Sequence, residues 1–161
     1  MSSPLRTTWR SRFGHALVVQ AGTGWHTTEV VRFAAAGTII DPVPAHLAQP
    51  GVDAILVTPI AKNGRRHYAK VTERVAFAAR LLVGAGISER HYYAAVKRAC
   101  RALSVPVFSP AWMRHTNATH ALQASATERE AAGFLGHAPD GRMVREVYGL
   151  GAVPPKVPTI L

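Results

Sequence analysis

Residues 109–150 read SPAWMRHTNATHALQASATEREAAGFLGHAPDGRMVREVYGL and hold three polar side chains at notable positions. Arg114 falls in the first turns of a predicted helix, since Pro110 suits a first-turn position where no N–H is needed. His137 follows a predicted helix end, and Tyr148 lies eleven residues further on. Taken singly, each has an ordinary structural role. An arginine pairs with a carboxylate, a histidine at a helix end caps carbonyls, and a tyrosine in an apolar stripe belongs to the core.

The same segment predicts two more helices after the one that carries Arg114. Residues 127–130 read TERE, a capping-box pattern, and this helix ends before Gly136. Asp140 can cap a last helix that contains Tyr148. The tail, residues 151–161, has three prolines and is predicted to be extended.

Further upstream, two β-prone runs flank a turn. AILVTPIA (54–61) is followed by Asn63-Gly64 and then by RRHYAKVT (65–72). Asn-Gly tolerates the positive φ angles of a two-residue hairpin turn, so a β-hairpin is predicted, with Lys62 at its tip. Pro59 cannot donate to a strand ladder, which predicts that this hairpin lies at a sheet edge.

The remaining patterns are mostly helical. The predicted elements are a loop at 21–24, a helix capped by Thr27 or Thr28, a strand at 38–40, a helix from Glu73 and a helix capped by Ser88. The apolar stripes of the last two helices contain Val75, Phe77, Ala78, Leu81 and Leu82, and Tyr92, Tyr93, Val96, Ala99, Cys100 and Leu103. Cys100 is therefore interpreted as a packing residue. The fold class predicted is mainly α with a small antiparallel β-sheet or hairpin (α+β).

Composition limits the class of protein. The chain has 161 residues, 48% of them hydrophobic, which fits a single folded domain and excludes intrinsic disorder. No apolar run approaches the length of a membrane span, and no secretory signal is visible, so we expect a cytoplasmic protein without a membrane partner. The single cysteine, Cys100, excludes an internal disulfide and a CxxC-type metal site.

The positive charge is concentrated in the middle of the chain. The formal net charge is +10, and residues 62–101 contribute +8 of it, whereas each flank contributes +1. A localised basic region is typical of proteins that bind nucleic acids, although a solvated surface that keeps the protein soluble is the alternative. The candidate DNA-binding residues in this region are Arg65, Arg66, Lys70, Arg90, Lys97, Arg98 and Arg101.

Taken together, these motifs resemble those of the tyrosine recombinases, the phage-integrase family. The elements RHT…ATH (114–120), LGH (135–137) and Tyr148 occur in the family's order and with near-typical spacing. Upstream, AGTGWHTTEVVRF (21–33) resembles the family's TGLRxSE turn and helix, and the hairpin around Lys62 resembles its lysine-bearing β-hairpin. The resemblance covers residues from about 15 to 150 and implies the fold of the recombinase catalytic domain.

The resemblance also implies a reaction and a role for each residue. The family breaks and rejoins DNA strands through a 3′-phosphotyrosyl intermediate, without a metal or an energy-rich cofactor. By resemblance, Tyr148 is the nucleophile and Arg114 is the clamp residue, which binds the phosphate through bidentate hydrogen bonds, a geometry that suits a planar guanidinium. His137 matches a histidine that donates a hydrogen bond to the phosphate. Lys62 matches the general acid that protonates the leaving 5′-oxygen.

Two positions depart from the family pattern. His26 occupies the place of the first clamp arginine, and Ala111 that of a histidine three residues before Arg114. A histidine carries only part of a positive charge near neutral pH, and an alanine side chain offers no hydrogen bond. His115 is adjacent to Arg114, but neighbours on a helix point about 100° apart. Loss of a single transition-state donor commonly costs about 10²–10³ in rate.

Three functions follow from this pattern. The first is a site-specific recombinase or integrase acting on double-stranded DNA, intact or impaired. The second is a catalytically degenerate DNA-binding domain of the same fold, and the third a structural domain whose basic face is incidental.

The expected organisation is a catalytic-like domain at 1–150 and a tail at 151–161, without the N-terminal helical domain that the family normally carries. Such a chain would be a truncated product, a remnant or half of a split protein. The family assembles as a tetramer on paired sites and often exchanges a C-terminal segment. The tail can play this part, with an unstructured end as the alternative.

Overall fold

The computed structural model describes residues 9–60, 62, 64 and 66–123, with side chains from residue 11 onward. This part of the chain contains helices α1 (Trp9–Thr23), α2 (Thr27–Ala36), α3 (Glu73–Leu82), α4 (Glu89–Ala102) and α5 (Trp112–Gln123), strands β1 (Thr38–Ile40), β2 (Ala54–Val57) and β3 (Tyr68–Val71), and a 3₁₀ turn at Ala45–Leu47. The predicted class, mainly α with a small antiparallel sheet, is confirmed. The helices predicted after residues 127 and 140 and the extended tail lie outside the described residues.

The three strands form one antiparallel sheet in the order β1-β2-β3. All four residues of β2 are buried, since this strand is the central one. The prediction that the whole hairpin lies at an edge is therefore wrong for its first strand and right only for β3. Pro59 is compatible with the central β2 because it follows the strand's last residue, Val57, and is not required to donate to the ladder.

The hairpin register also differs from the predicted two-residue turn. Val57 pairs with Tyr68, and among the described residues of the hairpin the last backbone hydrogen bond joins Thr58 N to the carbonyl of His67 at 3.0 Å. A turn at Asn63-Gly64 alone would instead pair Val57 with Lys70. The strands separate before Pro59, where a ladder donor is missing, and Gly64 still takes a positive φ of 75° within the longer connection.

Helix α1 packs against the other helices through a face that recurs every three or four residues. Phe13, Ala16, Val19 and Gln20 are buried along it. The prediction of a loop at 21–24 is wrong for its first three residues, because α1 continues to Thr23. Gly22 is not a turn residue. A Cβ at this position would lie 2.4 Å from a methyl group of Val75, so the glycine permits the close approach of α1 and α3.

The buried faces of α3 and α4 follow helical spacing, with several exceptions to the predicted stripes. In α4, Tyr92, Val96 and Cys100 are buried, which confirms the packing role of the cysteine. In α3, small alanines and Leu82 face the core, and Phe77 is 57% exposed. Ala99 and Leu103, the latter 71% exposed, also lie outside the core, whereas Val75, Leu81 and Tyr93 are half-buried. Within the described residues, no helix is both long and apolar enough to cross a membrane.

The N-terminus of α3 is capped from a distant part of the chain. Its N-cap residue, Thr72, makes no side-chain capping bond, whereas Asp53 Oδ2 accepts a hydrogen bond from Glu73 N at 2.8 Å. We expect Asp53→Ala to lower the free energy of unfolding by about 0.5–2 kcal/mol, measured by urea denaturation. Thr72→Ala is the matched control and should change it by less than about 0.5 kcal/mol. Equal losses in the two variants would contradict the assignment.

Candidate active site

The first turn of α5 contacts the end of α1 through the candidate clamp residue. Arg114 is partly buried, and its Nη1 donates a hydrogen bond to the carbonyl of Gly24 at 3.3 Å. One turn later, Asn117 Nδ2 donates to the carbonyl of Ala21. Gly24 ends α1: it takes a positive φ of 65°, and its N–H donates to Gln20 O at 2.9 Å. Because the helix does not continue, the carbonyl of Gly24 can accept the hydrogen bond from Arg114.

His26, which the resemblance aligns with the family's first clamp arginine, caps the next helix. His26 is exposed, with extended backbone angles, and its Nδ1 accepts a hydrogen bond from Thr28 N at 3.4 Å. The prediction that Thr27 or Thr28 caps this helix is corrected, since both lie in its first turn. A ring nitrogen that accepts a hydrogen bond was not anticipated, because histidine is not among the preferred capping residues.

The hydroxyl of Thr28 connects this cap to the beginning of α4. Thr28 Oγ1 lies 3.3 Å from His26 Nδ1 and donates a hydrogen bond to Glu89 Oε1 at 2.9 Å. Ser88 caps α4 as predicted, accepting a hydrogen bond from His91 N at 3.3 Å. The imidazole, the hydroxyl and the carboxylate therefore form a continuous chain of hydrogen-bonding groups across two helix N-termini.

A buried polar network beneath this cap was missed by the sequence analysis. Gln20 Nε2 donates to Trp25 O at 3.1 Å and to Thr27 Oγ1 at 3.3 Å, and its Oε1 accepts from the Tyr92 hydroxyl at 2.8 Å. Burial raises the pKa of Tyr92, so its phenol stays protonated as the donor. The only hint in the sequence is a glutamine at core spacing in an otherwise apolar run. The network fixes the backbone between Gly24 and α2.

The loop that carries Lys62 is tied at its base to the same helix. Arg32 Nη2, in α2, donates to the carbonyl of Pro59. On the return side, His67 Nε2 lies 3.9 Å from Glu29 Oε1, also in α2. Lys62 itself is exposed between these two anchor points. Helix α2 therefore holds both the His26 cap and the base of the lysine-bearing loop.

The remaining candidate site residues are distributed as follows. Ala111 is half-buried in the turn just before α5, three residues from Arg114, and its methyl group cannot donate a hydrogen bond. His115 follows Arg114 and is exposed. His137 and Tyr148 lie outside the described residues. The structure thus brings together Arg114 and the turn that leads to His26, and it places Ala111 one helical turn before Arg114.

We use the name basic surface for six exposed cationic residues. They are Arg66, Lys70, Arg90, Lys97, Arg98 and Arg101. The four on α4 recur at helical spacing on the side opposite Tyr92, Val96 and Cys100, so they face solvent together. Arg65, the other predicted DNA-binding residue, is outside the described part of the chain.

The fold is similar to solved structures of DNA recombinases. A pre-cleavage complex of XerH site-specific recombinase with difH substrate aligns with a TM-score of 0.61 and 15% identity, covering 90% of this chain and 44% of XerH. The Tn1549 transposon integrase, in complex with circular intermediate DNA, aligns with a TM-score of 0.59 and 16% identity, covering 91% and 58%. The described fold is that of a tyrosine recombinase catalytic domain. No protein-family profile and no curated protein sequence matches the chain.

The fold predicted from the resemblance is therefore confirmed. The chain spans about half the length of these recombinases. Identities of 15% and 16% establish similarity of fold only, and the roles of individual residues are predictions.

Proposed function

We propose that this chain binds duplex DNA and breaks and rejoins its strands through a tyrosine-linked intermediate. The observation that carries the proposal is the hydrogen bond from Arg114 to Gly24 O. It supports a site in which the guanidinium lies at the turn before His26. This hydrogen bond helps to orient the guanidinium. An oriented positive charge is what a phosphodiester requires as negative charge develops on its non-bridging oxygens.

In the proposed reaction the phenol oxygen of Tyr148 attacks the scissile phosphorus, and its proton passes to solvent water as the new P–O bond forms. The bond from phosphorus to the 5′-oxygen breaks, and Lys62 gives a proton to that oxygen. The product is a 3′-phosphotyrosyl link and a free 5′-hydroxyl. Attack by a 5′-hydroxyl reverses the step, so the phosphodiester bond is exchanged without an external energy source. Arg114 and His137 donate hydrogen bonds to the phosphate throughout.

The basic surface supports the DNA-binding part of the proposal. Its cations are exposed, and four of them share one face of α4, which can follow a line of phosphates. Helix α4 also reaches the candidate site, since its first residue, Glu89, bonds Thr28.

A DNA-binding domain without chemistry is the second candidate. The observation that favours it is the pair of substitutions at His26 and Ala111, which removes two donors from the family pattern. Their combined effect on rate would leave binding intact, because phosphate contacts along the basic surface do not involve them.

Covalent trapping separates the two functions. The bound sequence is first selected from a pool of random duplexes, and a nick is then placed close to the cleavage point so that the cut fragment diffuses away. We expect a protein–DNA adduct that survives denaturation, with the nucleotide located on Tyr148 by peptide mass spectrometry. Salt-sensitive binding without an adduct would overturn the enzymatic proposal. If His26→Arg combined with Ala111→His then formed the adduct, the degenerate DNA-binding domain would be the function.

A further inference from the structure

We propose that the outer face of β3, formed by Tyr68 and Lys70, binds unpaired nucleotides of a DNA strand. Tyr68 is the platform on which a base stacks, and Arg66 and Lys70 contact the phosphates on either side. The inference goes beyond the proposed function, because it concerns single-stranded DNA and requires no bond cleavage. It rests on one exposed aromatic ring that lies within the basic surface.

Strand β3 has one face toward the core and one toward solvent. Ala69 and Val71 are buried on the first face, and Tyr68 and Lys70 are exposed on the second. This is the alternation that a strand imposes on its side chains. Residues two apart lie about 7 Å from each other along a strand, so Tyr68 and Lys70 can contact the same nucleotide.

The pairing of β3 with β2 fixes the backbone of Tyr68 and leaves its ring accessible. Tyr68 lies opposite Val57, and cross-strand partners share a face, so the ring stands beside the buried Val57. The pairing extends to His67, whose N–H donates to Thr58 Oγ1 at 2.9 Å. Arg66 comes directly before this paired segment and is exposed. The tyrosine itself is 59% exposed, which is unusual for an aromatic residue in a strand with a buried neighbour.

The two cations beside the ring keep their charge available. Among the described side chains, neither Arg66 nor Lys70 forms an ion pair. The carboxylates that adjoin the strands have other partners, since Asp41 pairs with Arg80 at 2.6 Å and Asp53 caps α3. The outer face of β3 therefore presents positive charge to an incoming phosphate.

The ring, and not the charge, indicates that the nucleotides are unpaired. In a duplex the face of each base is covered by its neighbours, whereas an unpaired base can lay its π-face on an aromatic side chain. Exposed aromatic residues on the surface of a sheet bind single strands in this way, and cations beside them contact the backbone. Two cations without the ring would bind either form of DNA.

Phe77 on α3 is an aromatic residue of similar exposure in a different electrostatic setting. It is 57% exposed, but Arg80, one turn later, is paired with Glu73 at 2.7 Å and with Asp41. These ion pairs reduce the charge that is available to a phosphate beside the phenyl ring. Phe77→Ala is therefore the matched control for the loss of an exposed aromatic side chain.

Binding of single-stranded DNA tests the inference without relying on catalysis. Fluorescence anisotropy of a labelled oligodeoxythymidine is measured with the full chain carrying Tyr148→Phe, so that no covalent product accumulates. Tyr68→Ala should weaken binding of the single strand by about 5- to 150-fold. Phe77→Ala should leave it unchanged. Retardation of a selected duplex should be the same with and without Tyr68→Ala, which also shows that the variant is folded.

Two further variants of Tyr68 distinguish stacking from apolar contact. Tyr68→Phe keeps the aromatic face and should bind the single strand as the parent protein does. Tyr68→Leu keeps an apolar side chain without an aromatic face, so it should lose affinity as Tyr68→Ala does.

Salt dependence tests the two cations. Replacement of both Arg66 and Lys70 by alanine should lower the slope of log binding constant against log salt concentration by about 1.4 for the single strand, since each phosphate contact contributes about 0.7. Tyr68→Ala should leave this slope unchanged, because stacking on an uncharged ring releases no counterion.

The outcomes separate this inference from the proposed function. A wild-type protein that retards the duplex but binds no single strand would overturn the inference alone. Equal losses for the two forms of DNA in Tyr68→Ala, or an equal loss of single-strand affinity in Phe77→Ala, would do the same. So would a change in the oligomeric state of Tyr68→Ala at unchanged affinity, which would place the ring in a protein interface. Single-strand binding that depends on Tyr68, without binding of any duplex, would overturn the proposed function and leave the inference in place.

Discussion

Replacement of Lys62 by alanine is expected to slow strand cleavage by about 10²–10⁴ while leaving DNA affinity nearly unchanged. A 5′-alkoxide is a poor leaving group unless it receives a proton as the P–O bond breaks, and this is the role proposed for the ammonium group. Lys62 is exposed on a loop whose two sides contact α2 at its base, through the hydrogen bond from Arg32 to Pro59 O and the approach of His67 to within 3.9 Å of Glu29. The loop can therefore present the lysine while its base stays fixed. Single-turnover cleavage and retardation of the same duplex measure the two quantities.

A matched control and a modified substrate make this prediction specific. Lys70 is another exposed lysine of the same hairpin, on β3. Lys70→Ala should lower the slope of log binding constant against log salt concentration by the amount expected for about one phosphate contact, without affecting the chemical step. A substrate with sulfur in place of the bridging 5′-oxygen releases a thiolate, which needs no proton. It should be cleaved at similar rates by Lys62→Ala and wild type. A defect that persists on the sulfur substrate, or equal losses of cleavage and binding, would rule out general-acid catalysis by Lys62.

Local signals predicted most of the described secondary structure. The strand at 38–40, the helix from Glu73 and the Ser88 cap depend on residues near each other in the chain, and these predictions are confirmed. The predicted register of the hairpin was wrong. Asn63-Gly64 indicates only that a turn is locally favourable, whereas the pairing of β2 with β3 is determined by the packing of the fully buried β2. Loop length then follows from where the strands stop, not from the turn dipeptide.

The missed features of the site share one physical cause, which is that their partners are far apart in the chain. The Asp53 cap reaches a helix twenty residues away, and the Tyr92 hydroxyl bonds Gln20 from 72 residues away. Gly22 looked like a turn because glycine is common there, whereas its function is to let Val75 approach. Periodicity indicates that a residue is buried but does not identify its hydrogen-bond partner. The candidate residues were found by resemblance, and the hydrogen-bond partners of Arg114 and His26 became visible in the structure.

Replacement of Arg114 by alanine is expected to lower the cleavage rate by about 10²–10³, with a much smaller loss of DNA affinity. In the proposed reaction the guanidinium offers two parallel N–H donors to the phosphate, and the hydrogen bond to Gly24 O helps to orient it. Arg114→Lys keeps the charge but not the planar pair of donors, so it should recover only part of the rate.

The control for this prediction is Asn117→Ala, one turn along α5. Asn117 bonds the carbonyl of Ala21 in α1, and Arg114 bonds that of Gly24 just after α1, so both variants remove a side-chain hydrogen bond from α5 to this part of the chain. Cleavage by Asn117→Ala should stay close to wild type once the fraction of folded protein, from urea denaturation, is taken into account. If the two variants lose rate in proportion to their loss of stability, Arg114 only joins α5 to α1. Both variants weaken the contact of α5 with this part of the chain, so this effect cannot distinguish them. If only Arg114→Ala loses cleavage rate, at a stability equal to that of Asn117→Ala, the charge of Arg114 acts on the phosphate in the transition state.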